Sequence, residues 1–187
     1  MESKFLDRIS QSLSTDIPHA DSMTEYLDML LPAVRKWGED LREEEFYVGQ
    51  AWLEIRDDET FNAAVLHFFN DGGEYLKSVN GNFSVGSWRY LEDSNKMLLS
   101  ERGAGGELYD LAFMDGQFFI LTKHGDPHKK NRNKYFVMVA ENRGKGLEWR
   151  DVIDLIYDKY RNTSSYYFTI ALIILVIIAI IMVLSLG

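Results

Sequence analysis

The run Val65-Leu66-His67-Phe68-Phe69-Asn70-Asp71-Gly72-Gly73-Glu74-Tyr75-Leu76-Lys77-Ser78-Val79-Asn80-Gly81-Asn82-Phe83 sets the architecture of this chain. Phe61, Ala63, Val65, His67 and Phe69 alternate with more polar neighbours. A period of two belongs to a strand rather than a helix. Asp71-Gly72 and Asn80-Gly81 are two-residue hairpin signals, because these residue types tolerate positive φ at a turn. Glu74–Val79, held between them, reads as a strand that reverses at both ends.

The same rhythm extends outward. Upstream, Tyr47, Gly49, Ala51, Leu53 and Ile55 alternate. Downstream come Phe83–Leu91, Lys96–Ser100, Glu107–Met114, Gln117–Lys123 and Lys134–Ala140, divided by a glycine-rich turn at Arg102–Gly106 and by Asp115-Gly116. About eight short strands at near-regular spacing predict an antiparallel meander over residues 46–142, either a barrel or a strongly curled sheet. The fold class is mainly β with flanking helices.

Helical patterns lie on both sides. In an amino-terminal segment (1–45), Phe5, Ile9 and Leu13 mark a short helix over 4–14. Ser22-x-x-Glu25 is a capping box that opens a second helix. Its stripe is Leu27, Leu30, Leu31, Val34, Trp37 and Leu41, with Pro32 placed to kink it. This stripe packs on the sheet or meets a partner helix. Glu43-Glu44-Glu45 reads as a solvated face. Residues 146–162 return to helical period through Leu147, Val152, Ile153, Ile156 and Tyr160, giving an amphipathic juxtamembrane helix.

Residues 166–186 lack charge and proline, and Leu172–Leu184 has no polar face. As a helix, this segment is about 31 Å long, the thickness of a bilayer's hydrocarbon core. It is expected to be a transmembrane anchor. Lys145, Arg150, Lys159 and Arg161 precede it, and Tyr166 and Tyr167 suit the interface. Positive charge stays on the cytoplasmic side. Met1–Arg8 carries no apolar run of leader length. The expected arrangement is a single-pass tail anchor in the inner membrane with the amino-terminal domain in the cytosol.

The 187 residues carry a formal net charge of −9 and no cysteine. Every charged residue precedes Thr163. An acidic domain argues against general nucleic-acid binding. The lack of cysteine excludes disulfides and thiolate metal sites.

The β region resembles the small bacterial lipocalin-like domains. The residues that carry the likeness are Gly49-x-x-Trp52, Phe69-x-Asp71-Gly72-x-x-Tyr75, Gly86-x-Trp88-x-Tyr90, Asn95–Leu99, Tyr109-x-Leu111, the Asp115-Gly116 turn and Phe119-x-Leu121. They cover residues 46–140. The resemblance implies a barrel with one open mouth that holds a small molecule. It offers Trp52, Trp88, Tyr90 and Tyr109 either as the lining of that site or as filling of the barrel. Such domains are usually exported, often as lipoproteins, and this chain shows neither a leader nor a lipid-bearing cysteine.

Chemistry is sparse. No nucleophile elbow or phosphate loop is present, and no carboxylate spacing singles out an acid/base pair. His124 and His128 flank Asp126 and Pro127, but that turn does not preset a metal geometry; no metal or other cofactor is expected. Lys129, Lys130, Arg132 and Lys134 are a basic run on an acidic domain. They read as a solvated loop that guards a sheet edge, or as a contact to anionic lipid or to a phosphate-bearing ligand.

Two functions fit. One is a non-catalytic, tail-anchored protein whose cytosolic β domain binds a partner protein or a small ligand at the membrane surface. The other is a ligand-gated effector, with a nucleotide signal as one candidate ligand, that oligomerises through its anchors and disrupts the bilayer. Barrel-and-membrane-helix fusions acting this way are known in bacterial defence, so the second rests on architecture alone.

Overall fold

The computed structural model describes residues 20–161, apart from residues 59, 62, 93, 104 and 126–133. The chain divides into two compact units, Ala20–Ile153 and a second of which residues 154–161 are described. In the second unit those residues are helical, with Ile156 and Tyr160 buried.

The first unit is a closed eight-stranded antiparallel barrel. Its strands are β1 (Ala51–Ile55), β2 (Val65–Asn70), β3 (Glu74–Val79), β4 (Asn82–Leu91), β5 (Lys96–Glu101), β6 (Gly106–Met114), β7 (Phe118–Lys123) and β8 (Tyr135–Ala140). Each pairs with its sequence neighbour, and β1 closes on β8 with Trp52 opposite Ala140. The expected strands fall within a few residues of these bounds, and closure leaves no sheet edge.

The turns work by different means. Asn80 and Gly81 both take positive φ, 49° and 87°, as a tight hairpin requires. Asp71–Gly73 is a 3₁₀ turn in which Gly72 and Gly73 carry the positive φ. At Asp115-Gly116 the device is a side chain instead: Asp115 Oδ1 accepts from the backbone N–H groups of Gln117 at 2.7 Å and Phe118 at 2.8 Å.

Helix α1 (Met23–Val34) opens as the capping box predicts. Glu25 N donates to Ser22 Oγ at 3.3 Å, and Glu25 Oε2 accepts from the backbone N–H of Asp21 rather than of Ser22. The stripe ends earlier than its period suggests. A 3₁₀ turn, Arg35–Trp37, follows α1, and Leu41 lies beyond it, fully buried. Glu39 N donates to Met114 O at 2.8 Å and Leu41 N to Asn95 Oδ1 at 3.2 Å, so the chain leaves the helix to cross one end of the barrel. Tyr47 and Gly49 likewise precede the first strand rather than belong to it; the turn before them is the 3₁₀ segment Glu44–Phe46. Phe61 and Ala63 precede β2.

Outward-facing Phe113, Phe118, Ile120, Val137 and Val139 are buried. The flanking elements cover this wall: α1 meets β6, Gly38 lies against the Phe113 ring, and the short helix Glu141–Gly144 packs on β1 and β8. Tyr26 of α1 meets Trp149, whose helical segment also buries Val152 and Ile153. Among the described residues no helix is long and apolar enough to cross a membrane. The expected span at 166–186 and the expected helix at 4–14 lie outside the described residues.

Candidate functional site

Strand parity divides the barrel interior into two halves. Inward positions toward the β2–β3, β4–β5 and β6–β7 turns are apolar: Trp52, Phe69, Trp88, Met97, Phe119 and Met138 are buried in one cluster, joined by Leu41 and Tyr47 from the crossing segment. Two residues further along the same parity, toward the other end, the side chains become polar. Trp52 is followed by Glu54, Tyr75 by Lys77, Leu99 by Glu101 and Leu121 by Lys123, while Glu107 and His67 precede Tyr109 and Phe69. One end is therefore a packed floor. The other is a hollow mouth of about 930 Å³, lined by Glu54, His67, Lys77, Glu101, Glu107 and Lys123 among others.

A hydrogen-bonded line runs through the wall of this mouth. Tyr75 Oη meets His67 Nδ1 at 2.6 Å, and His67 Nε2 meets Glu54 Oε2 at 3.0 Å. Arg56 Nε donates to the other carboxylate oxygen of Glu54 at 2.5 Å. The exposures are 2% for His67, 3% for Tyr75 and 9% for the Glu54 side chain. Burial works to raise the Glu54 pKa, but hydrogen bonds from His67 and Arg56 outweigh it and hold the carboxyl below its ordinary value. Burial, reinforced by the nearby carboxylates, pushes the Tyr75 phenol up. The Glu54 carboxylate accepts from His67 Nε2–H, and His67 Nδ1 shares its hydrogen bond with the Tyr75 hydroxyl.

Two ion pairs complete the lining. Lys77 Nζ donates to Glu101 Oε1 at 2.8 Å, and Lys123 donates to Glu107, whose second oxygen accepts from Tyr109 Oη at 2.6 Å. The Lys123 hydrogen bond first, and then that of Tyr109, lower the Glu107 pKa; the charge of Lys77 also contributes. Burial and the bond to Glu107 push the Tyr109 phenol up.

The four aromatic residues proposed from sequence part company. Trp52 and Trp88 lie in the floor, with indole N–H groups bonded to the carbonyls of Tyr47 at 2.9 Å and Asn70 at 3.0 Å. Tyr90 packs against the floor from a partly buried position, whereas Tyr109 lines the mouth. Of the basic run, Lys134 lines the mouth and pairs with Asp28 of α1 at 2.5 Å. Lys129, Lys130 and Arg132 lie outside the described residues. His124 bonds to Asp110 Oδ2 at 2.7 Å, and its sequence companions Asp126 and His128 are likewise outside them. Among the described residues no group of three or more metal-ligating side chains forms a metal set.

Sequence reading missed Glu54, Lys77, Glu101, Glu107 and Lys123, and it gave His67 only as a member of an alternating strand. The signal was there: on six strands the inward parity turns from apolar to polar at the same end. The chain matches no family model, and no curated protein or solved structure matches it significantly.

Proposed function

We propose that this chain is a non-catalytic, membrane-tethered receptor in which a lipocalin-like barrel takes up a small ligand next to the bilayer. The observation that carries the reading is the mouth. A cavity of about 930 Å³ inside an otherwise packed barrel is the size of small-molecule sites in general, and it sets aromatic faces beside a largely charged lining. The reading is of a binding site because the His67 ring is tied into the wall of the mouth. Both its nitrogens are bonded to other wall residues, Tyr75 and Glu54, so no free ring nitrogen faces a ligand.

The tether is the apolar segment 166–186, whose length suits a single crossing with the basic residues before it on the cytoplasmic side. In this reading the barrel faces the cytosol and the inner membrane holds it there.

The two halves are tested together. Full-length protein should remain in the membrane pellet after alkaline washing, and a chain ending at Arg161 should be released. Small-molecule extract from the cells that make the protein should raise its melting temperature, and Leu99→Trp, which fills the mouth from β5, should abolish that rise while still melting cooperatively. Release of the full-length chain by alkali refutes the tether. An equal rise in Leu99→Trp refutes the site.

A further inference from the structure

Lys77 on β3 and Lys123 on β7 stand four strands apart in an eight-stranded barrel, so the two ammonium groups face the mouth from opposite walls. Between them, on β5 and β6, lie Glu101 and Glu107. The way across β4 is open because the inward position there is Gly86, opposite Glu101.

Hydrogen-bonding capacity in the mouth is unevenly used. Glu54 has both oxygens engaged, by His67 and Arg56, and Glu107 has both engaged, by Lys123 and Tyr109. The Tyr109 hydroxyl and the Nε2–H of His67 donate within the wall, and the Tyr75 hydroxyl is bonded there to His67 Nδ1. Each lysine carries three donors and bonds one carboxylate oxygen among the described residues. Among the described residues Glu101 is bonded through Oε1 alone, so one acceptor oxygen is open against two unspent donors on each ammonium group, and the excess is of donors, which call for an acceptor. The present counter-ions are able to leave: the side chains of Glu101 and Glu107 are 40% and 47% exposed, beside 25% for Lys77 and 56% for Lys123. Deeper in the mouth, Tyr109 and Phe136 lie with ring centroids 5.8 Å apart and Leu99 is beside the floor, an apolar surface for the rest of a ligand.

Building on the receptor reading above, we infer that the ligand is an oxyanion, a phosphate or carboxylate group on a small apolar or aromatic body. Lys77 and Lys123 bind the acidic group, Glu101 and Glu107 turn out to water as it enters, and the body rests on Tyr109 and Phe136. A cation would have to compete with Lys77 for Glu101, since Glu54 and Glu107 have both oxygens engaged and Asp57 and Asp58 at the rim accept from Met23 N and from Thr60. A neutral ligand would leave the ammonium groups with the counter-ions they already have.

The test is calorimetric titration of the full-length protein in neutral detergent at low salt with phenyl phosphate, phenylacetate, benzyl alcohol and benzylamine. The two anions should bind and the alcohol and amine should not. Lys77→Gln and Lys123→Gln should each weaken phenyl phosphate by about tenfold or more, the scale of a charge-assisted hydrogen bond. Glu101→Gln should tighten it, because a competing counter-ion is gone; a merely structural role for Glu101 would not produce that gain. Displacement of phenyl phosphate by phosphatidylglycerol vesicles and not by phosphatidylcholine vesicles assigns the oxyanion to a lipid headgroup; no displacement assigns it to a soluble metabolite. Equal binding of benzylamine or benzyl alcohol, or unchanged affinity in both lysine variants, overturns the inference and leaves the receptor reading standing. Failure of all four probes to bind overturns the inference, and the receptor reading is then decided separately by the extract experiment.

Discussion

Glu54 and His67, on adjacent strands, share a 3.0 Å hydrogen bond inside the barrel, and Tyr75 continues it from a third strand. The bond ties three strands together at the point where the packed floor gives way to the mouth. Its carboxylate is held below its ordinary value of 4.5 by His67 and Arg56 in spite of burial. A depressed carboxylate pKa contributes stability that is present above the unfolded value and is lost as pH falls through the folded one. Glu54→Gln should therefore cost about 1–3 kcal/mol near neutrality and flatten the acid limb of the stability profile. Urea midpoints measured from about pH 7 down to about pH 3 check this. An unchanged acid limb in the variant would show that Glu54 is not the group responsible.

The division between floor and mouth predicts unequal costs for aromatic substitutions. Trp52 is fully buried, donates to Tyr47 O at 2.9 Å and meets Phe119 at a centroid distance of 5.5 Å. Trp52→Ala should cost about 3–5 kcal/mol and lower the melting temperature by roughly 10 °C. Tyr109→Phe, at the mouth, loses one partly solvated hydrogen bond to Glu107 and should cost less than about 1.5 kcal/mol. Thermal melts of the two variants side by side give the comparison, and equal losses would contradict a floor and a mouth of different character.

Gly86 marks a close approach of β4 to β5. A Cβ built there would lie 2.0 Å from Ser100 O and 3.0 Å from the Tyr75 ring. Backbone oxygen cannot swing aside as a side chain can, so Gly86→Ala should force β4 away from β5. The expected cost is about 1–3 kcal/mol or more, read as a lower denaturation midpoint. A variant as stable as the parent would mean that β4 and β5 lie further apart than described.

Much of this was legible in the sequence because strand alternation and turn chemistry are local. The eight strands follow from period-two runs between Asp-Gly, Asn-Gly and glycine-rich turns. What did not follow is governed by contacts distant in sequence. Leu41 continues a helical stripe by spacing, yet the Asn95 side chain and the Met114 carbonyl hold this part of the chain across the barrel end. Tyr47 alternates like a strand residue but plugs the floor, its hydroxyl donating to Leu41 O at 2.9 Å. The mouth was hidden for a related reason. Lys77, Glu101 and Lys123 look like solvent-facing charges one strand at a time, and only closure places their parity inside.

At the edge of the mouth, the pair of Lys134 with Asp28 should contribute little. Both side chains are 46% exposed, and pairs in such a setting are typically worth less than about 1 kcal/mol. Tyr135 Oη also bonds to Asp28, at 2.6 Å, and burial together with that carboxylate pushes its phenol up to about 12. Lys134→Ala should shift the urea midpoint only slightly. A large loss would make the α1–β8 contact a structural anchor rather than a surface pairing.

The central claim is that the mouth holds a small molecule. Native mass spectrometry of the full-length protein, extracted gently from its own cells, reads that directly. The account predicts a bound species of small-molecule mass on the wild-type chain that is absent from Leu99→Trp. A wild-type chain that carries no small molecule, before and after incubation with cell extract, would contradict it.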